Sequence, residues 1–590
     1  MKNIMPPRFQ AGPGFFDKAL MDCYRSFGYP DIWLEEGRTY APEDAYVISH
    51  PSWFMEPLPP VPMVSIYALF KETVKTHPDE TAVIFLDKKA SYRELDVLIR
   101  KYAALLKSLG IGKGDVVATM LPNSLQHIVA FYGVAMIGAI HTPVDVMFQP
   151  EELAYQIKDS GARAIFVLDI LYDKVKDLKA TGLLDHVIVT NVKDWVDPSA
   201  IIPHSLKYFW ETPKQTIAGT HDFFESIEAC APLEAETPVD AKKDMVLLLY
   251  TMGATGKPLG VMETHFNLVF NSLTHAHAFR AWEGREVNFS IMPMFHTSGY
   301  LLHQLPALYQ GGTVIPIPLF DVEDAFRIIK TYGVNVVFGP PTFFIALMSR
   351  PDMIDLYDLS SIKASIGCAA PVPVAVQKQW KELTGLSLIN GWGMTETNSG
   401  GIISVPGIKE KADALGIPVY SEVKITDDAG HIVERNQEGE ICYRGLQVAA
   451  GYLNKAKETE AAFLPDGWLR TGDRGYIDEA DFVHFVDRIK DLIVASGYNI
   501  APREIENVLY LHPAVEEVAV VSHPDPYRGE TVKAVISLKI NYMGKVTEKD
   551  IIDFCKERLA SYKVPKIIDF RDLLPKSPVG KLMRHELKDF

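Results

Sequence analysis

The sequence predicts an α/β protein of two units: a large one of parallel sheets covered by helices, then a small α+β one. Three observations carry this. At 590 residues the chain exceeds what a single hydrophobic core supports. From about residue 64, helix-period and strand-like segments alternate, as in parallel sheets with helical crossovers. Near "DRIKDLIVASGYNIAPREIENVL" (Asp487–Leu509) a second pattern begins, continuing through "VEEVAVVSH", "TVKAVISLKI" and the amphipathic "TEKDIIDFCKERLASY". The expected division is an N-terminal extension over 1–63, a large domain over 64–488 and a small C-terminal domain over 489–590.

The extension is rich in proline and aromatics, ends in "PSWFMEPLPPVP" and reads as a segment wrapped on the main body. "SYRELDVLIRKYAALLKSLG" (Ser91–Gly110) has a 3.6-residue apolar stripe, a capping serine with glutamate three residues later, and a terminal glycine. "DVVATML" and "ARAIFVLD" read as buried strands. "IVAFYGVAMIGAI" (Ile128–Ile140) falls short of the roughly 18–20 residues a membrane span needs and reads as a buried helix. Residues 193–240 are polar and loop-rich, an expected insertion, and alternation resumes at "DMVLLLY".

Apolar residues make up 47% and charged ones 23%, the balance of a globular enzyme. A net charge of −16 argues against nucleic-acid binding, which needs a basic surface to displace counterions. Five dispersed cysteines (Cys23, Cys230, Cys368, Cys442, Cys555) suggest reduced thiols, with neither a zinc site nor a disulfide frame. The first residues lack the apolar core of a signal peptide. The expectation is a cytoplasmic protein, with peripheral membrane contact and homodimer formation left open.

Chemistry concentrates in four stretches. "YTMGATGKPLGV" (Tyr250–Val261) follows an apolar strand, and its glycines let backbone N–H groups approach a phosphate. It is not a Walker A loop, because the lysine precedes proline and the glycine spacing differs; alone, it also admits a lesser reading as a glycine-rich turn between strand and hairpin. "NGWGMTET" (Asn390–Thr397) sets an indole that can stack on a purine beside a carboxylate and hydroxyl suited to Mg²⁺ on phosphates. "LRTGDRGYID" (Leu469–Asp478) offers Asp473 on a tight turn, where a carboxylate can accept from two ribose hydroxyls, or simply cap its own turn. "PKSPVGKLMR" (Pro575–Arg584) carries Lys581 after a Pro/Gly loop.

In this order and spacing, the four stretches resemble those of the adenylate-forming superfamily of acyl-CoA synthetases, luciferases and nonribosomal adenylation domains. The likeness covers about residues 64–590 and is strongest to long-chain fatty-acyl-CoA synthetases. It implies a large domain of stacked β-sheets flanked by helices, and a small mobile α+β domain. It also implies ATP, Mg²⁺ and coenzyme A as co-substrates or cofactors. By the resemblance, Thr251, Gly253, Ala254, Thr255, Gly256 and Lys257 hold the phosphates. "GCAAP" supplies Gly367, Ala369, Ala370 and Pro371 to the adenine pocket, together with Gly391, Trp392 and Gly393, the indole replacing a usual tyrosine. Thr395, Asp473 and Arg488 bind the rest of the nucleotide, and Glu396 with Thr251 holds Mg²⁺. Lys490 is the hinge, Gly497 and Tyr498 in "SGYNI" line the coenzyme A tunnel, and Lys581 is catalytic. In "MPMFHTSGY", His296 gates the acyl pocket and Gly299, being small, lets a chain pass.

The implied reaction is attack of a carboxylate on the α-phosphorus of ATP, loss of pyrophosphate, then transfer of the acyl group from AMP to a thiol. Such catalysis is mostly positioning plus pre-placed cations. Two residues depart from the family pattern: Met252 stands for Ser/Thr and Leu259 for Lys. A desolvated charge-assisted contact contributes roughly 1.5–3 kcal/mol, so their loss predicts adenylation slowed about 10–100-fold. The closing "LPKSPVGKLMRHELKD" and the "IIPHSLKYFW" insertion resemble those of long-chain fatty-acyl-CoA synthetases, which implies a medium- to long-chain fatty acid as substrate. Alternatives are an aromatic or alicyclic acid, acyl transfer to a carrier protein, and a non-catalytic acyl-nucleotide binder.

Overall fold

The computed structural model describes residues 48–49, 61–197, 199–252, 258–278, 285–404, 411–495, 498–525, 528–577 and 580–588. Three sheets build the large domain. The first has seven strands, ordered Pro258–Thr264, Met245–Met252, Ile140–Pro143, Val116–Met120, Ala162–Leu168, His186–Thr190 and His221–Asp222. Only its first pair is antiparallel. The second has nine, with Leu388–Trp392, Ala364–Gly367, Val336–Gly339, Val287–Ser290 and Thr313–Pro316 parallel at its centre.

The third sheet differs from the expected parallel pattern. Its strands Ile48–Ser49, Glu422–Thr426, Gly439–Arg444, Leu469–Ile477 and Val483–Arg488 are antiparallel throughout. The last two strands are joined by the turn 478–482, a short connection that an antiparallel pair allows and a parallel one does not. Most of the extension lies outside the described residues, but Ile48 pairs with Val423 at this sheet's edge and packs in the cluster that holds Trp392.

The helix Tyr92–Ser108 forms where its stripe predicts. Ser91 Oγ accepts from the Glu94 N–H at 3.2 Å, Glu94 accepts from the Ser91 N–H at 2.8 Å, and Gly110 takes φ 76°. The apolar run after Ser124 folds as Leu125–Met136, buried along its whole length between sheet and helices. Among the described residues no helix is long and apolar enough to cross a membrane. Within 193–240 the chain makes short helices at Lys207–Glu211 and Phe223–Glu228 and the edge strand His221–Asp222, more regular structure than its polarity suggests.

The small domain pairs Val515–Asp525 with Gly529–Leu538. Ile493–Ala495 and Ile567–Phe570 flank the latter strand, and Tyr498–Ile500 pairs on to Ile493–Ala495. Helices Pro502–Leu509 and Glu548–Lys556 cover its apolar face.

Candidate active site

Strand register creates the first part of the site. Asp473 and Arg488 are direct cross-strand partners in the third sheet, Arg488 Nε lying 3.7 Å from Asp473 Oδ1. Asp473 therefore sits within a strand, not on the tight turn expected, although Gly472 before it takes φ 70° and the register slips after Arg474. The other carboxylate oxygen, Oδ2, accepts the indole N–H of Trp392 at 2.8 Å. Burial pushes the Asp473 carboxyl upward, and the Arg488 guanidinium opposes that shift.

Trp392 ends the strand Leu388–Trp392, its ring tilted against Tyr443 with centroids 5.8 Å apart. Gly393 follows because nothing larger fits: a Cβ there would lie 2.5 Å from Ser399 O. The chain then makes a 3₁₀ turn, Thr395–Thr397, which buries Glu396. Glu396 Oε1 accepts from the Tyr452 hydroxyl at 2.8 Å, and burial holds its carboxyl above the usual range. Among the described residues no basic side chain lies within ion-pair distance of it.

The strand Ala364–Gly367 delivers the "GCAAP" segment, and Ala369 adopts φ 65°. Gly367 is obligatory, since a Cβ would overlap Val372 Cγ2 at 1.9 Å. Cys368, Ala369, Gly391, Trp392 and Gly393 line one cavity together with His296. Ala370 and Pro371 lie beside it without lining it. His296 Nδ1 accepts from the Ser298 backbone N–H at 3.3 Å and pairs with Ser298 Oγ at 2.8 Å, which leaves the proton on Nε2. Burial lowers its pKa to about 4, assisted by the positive charge of Lys581.

Gly299 corrects an expectation. It is buried against backbone, a Cβ lying 2.3 Å from Pro293 O, and it is not among the lining residues. Its smallness serves chain packing, not passage of a substrate.

Lys581 comes from the far end of the sequence. Ser577 anchors its loop by donating its N–H to Lys581 O at 2.8 Å and accepting the Lys581 N–H on Oγ at 3.2 Å. Gly580, at φ 72°, seats the loop on the large domain: a Cβ would meet Pro340 Cγ and Thr342 Oγ1 at 2.8 Å. Lys581 is half-buried, within electrostatic reach of Arg488, Asp473 and Asp491. Burial, then the Arg488 charge, lower its pKa to about 7, while the two carboxylates resist. Three residues on, Arg584 binds Glu506 at 2.7 Å within the small domain and reaches Asp487 of the large domain at 3.5 Å. Lys490 lies exposed in the 3₁₀ turn Ile489–Asp491, between the last strand of the large domain and the first of the small one.

Thr251, last but one in the strand Met245–Met252, lies opposite Leu259. Gly253, Ala254, Thr255, Gly256 and Lys257 lie outside the described residues, as does Gly497; Tyr498 is described only as backbone in the strand Tyr498–Ile500. Leu259 is buried with Val261, Ala449 and Tyr452, the tyrosine that holds Glu396.

The family model for AMP-binding enzymes matches residues 70–453, and that for the AMP-binding enzyme C-terminal domain matches 504–581. The chain belongs to the AMP-binding enzymes. As a member of this adenylate-forming family, it is an AMP-forming acid–thiol ligase. It is 36% identical to the long-chain-fatty-acid–CoA ligase of Bacillus subtilis (strain 168) over 90% of this chain and 95% of that one. Its fold matches the anthranilate CoA ligase AuaEII in complex with anthranoyl-AMP, with a TM-score of 0.79, 25% identity, and coverage of 89% and 97%. It matches ATP-bound MatB from Rhodopseudomonas palustris with a TM-score of 0.78, 26% identity, and coverage of 89% and 99%.

Reading the sequence alone missed part of this AMP-binding enzyme's cavity. Asn271, Thr274 and His275 also line it. The signal was present: Asn271, Thr274 and His275, at i, i+3 and i+4 of the helix His265–Ala278, share one face.

Proposed function

We propose that the protein activates a medium- to long-chain fatty acid in two steps, forming acyl-AMP and pyrophosphate, then acyl-CoA and AMP. The observation that carries this reading is that Lys581, half-buried, lies within electrostatic reach of Asp473, Arg488 and His296, the last of which lines a cavity with Trp392. A cation there can meet both the acid's carboxylate and the α-phosphate as charge builds on the phosphoryl oxygens. Asp473, steadied by Trp392 and Arg488, would accept from ribose hydroxyls. Glu396, a buried carboxylate with no cation partner among the described residues, suits Mg²⁺, which is commonly held by one or two carboxylates plus substrate phosphates. Glu396 and Thr251 would hold that ion, which supplies charge neutralisation on the departing pyrophosphate.

The thioester step needs no amine at phosphorus. Rotation about Lys490 would withdraw Lys581 and bring "SGYNI" to the site, with Gly497 and Tyr498 beside coenzyme A. The fatty-acid reading draws on the likeness to long-chain-fatty-acid–CoA ligases. The likeness to an anthranilate ligase favours, as a second reading, an aromatic acid. Attachment to a membrane surface and pairing into a homodimer are compatible with either.

A panel of carboxylic acids graded in length and ring content, with AMP release as readout, tests this. Highest kcat/KM should fall among aliphatic acids of medium or greater length. Turnover confined to aromatic acids would replace the fatty-acid reading, and absence of any carboxylate-dependent ATP–pyrophosphate exchange would remove both.

A further inference from the structure

The turn that presents Glu396 is tied at both ends to one strand, Pro258–Thr264. That strand pairs with the segment 449–453: the Ala450 N–H donates to Met262 O at 2.9 Å, the Met262 N–H to Gly451 O at 2.9 Å and the Leu453 N–H to Gly260 O at 2.8 Å. The segment in turn grips Glu396. The Ala449 N–H donates to its carbonyl at 2.9 Å and the Tyr452 hydroxyl to its carboxylate. The other end of the turn is Asn398. Its Nδ2 donates to Glu263 Oε2 and, at 2.9 Å, to Gln447 O, while its carbonyl accepts from Asn271 Nδ2 at 2.5 Å.

This second tie has two costs. Asn398 and Ser399 follow one another in the left-handed region, at φ 55° and 53°, where residues with side chains are strained and stay only if their surroundings hold them. Glu263 is fully buried, and among the described residues no basic side chain lies within ion-pair distance of it. Burial, then the Glu396 charge, raise its carboxyl against the Asn398 hydrogen bond. A leucine would occupy the strand without that burden. Asn398 is the one hydrogen-bond partner of this carboxyl among the described residues, so what the acid does here passes through Asn398.

We infer that Glu263 is a positioning residue for the metal-binding carboxylate: through Asn398 it locks the left-handed close of the turn Thr395–Thr397 and so fixes the place of Glu396. This rests on the reading of Glu396 as the Mg²⁺ ligand, and extends it to a residue that acts through another. Removing a group that holds a metal ligand in place typically weakens metal binding by about 10–100-fold.

The test titrates Mg²⁺ calorimetrically into the full chain with a nonhydrolysable ATP analogue, and measures AMP binding without metal. Glu263→Leu should weaken the apparent Mg²⁺ affinity by about 10–100-fold and leave AMP affinity unchanged. Glu263→Gln, whose side-chain carbonyl can accept the same N–H, should restore most of it. Asn398→Gly tolerates the left-handed backbone but breaks the tie, so it should weaken Mg²⁺ binding as well, and Glu263→Leu should add little in that background. Asn398→Gly decides alone if Glu263→Leu fails to fold. Glu396→Gln is the reference. If it loses Mg²⁺-dependent binding while Glu263→Leu and Asn398→Gly keep wild-type affinity, the inference is overturned and the metal reading stands. An equal loss of AMP and analogue binding in Glu263→Leu, or no rescue by glutamine, overturns it too. Unaltered Mg²⁺ affinity in Glu396→Gln removes the metal reading and the inference together.

Discussion

The indole N–H of Trp392 donates to Asp473 Oδ2 at 2.8 Å, so the aromatic beside the expected adenine pocket also holds the carboxylate expected to bind ribose. One side chain thereby couples two parts of the nucleotide site. Trp392→Phe keeps an aromatic face and removes the donor. The loss of a charge-assisted hydrogen bond to a buried carboxylate, worth about 1.5–3 kcal/mol, should raise the KM for ATP by roughly 10–100-fold. Initial rates of pyrophosphate release at varied ATP check this; an unchanged KM would show that Asp473 is held without the indole.

Lys581 should impose a pH limit on the first half-reaction. Its pKa lies near 7, and only the protonated amine can neutralise phosphoryl charge, so activity is present below that value and lost as pH rises through it. The limb should appear in kcat/KM and shift upward in kcat, because bound phosphates favour the charged amine. Lys581→Arg, which stays charged, should remove the limb. Lys581→Ala should abolish adenylation yet spare thioester formation from supplied acyl-AMP; equal loss of both steps would contradict a rotating domain.

Gly580→Ala tests how the lysine is delivered. The substitution strains a left-handed backbone and sets a Cβ 2.8 Å from Pro340 and Thr342, pushing the loop off the large domain. Adenylation should fall by about 10–100-fold, since misplacement by about an ångström has that effect. Thioester formation from acyl-AMP should change little. A pre-steady-state comparison of the two half-reactions decides.

Arg584 joins the domains in the posture seen here. It keeps Glu506 as a partner within its own domain, but its contact with Asp487 reaches back to the last strand of the third sheet. Asp487 is almost fully buried and also accepts the Arg503 backbone N–H at 3.0 Å. Arg584→Met leaves both carboxylates without their cation, a loss of about 3–5 kcal/mol when such a pair is broken. Its adenylation rate should drop more than its thioester rate, with a lower unfolding midpoint by calorimetry. A wild-type ratio of the two rates would show that Arg584 does not select the posture.

Local features of the fold were legible in the sequence, and contacts between distant residues were not. The helix Tyr92–Ser108 could be read because stripe, capping box and terminal glycine sit within one stretch. The pairing of Asp473 with Arg488 could not, because it depends on antiparallel register in a sheet whose polarity the alternation pattern did not disclose. Gly299 was misread for a related reason: a small residue signals close approach without saying to what, and here the neighbour is Pro293 backbone. The motif residues Trp392, Asp473 and Lys581 do converge, whereas the polar face of His265–Ala278 became meaningful only once a cavity lay against it.

Ile48 and Ser49 lie along the outer border of the third sheet, laid against Glu422 and Val423. Without that cover, the strand Glu422–Thr426 would present bare amide and carbonyl groups, a template for another chain to join. A chain shortened to begin at residue 61 should thus retain its catalytic groups while becoming prone to self-association through that border. The two residues Ile48 and Ser49 then serve as a guard against sticking.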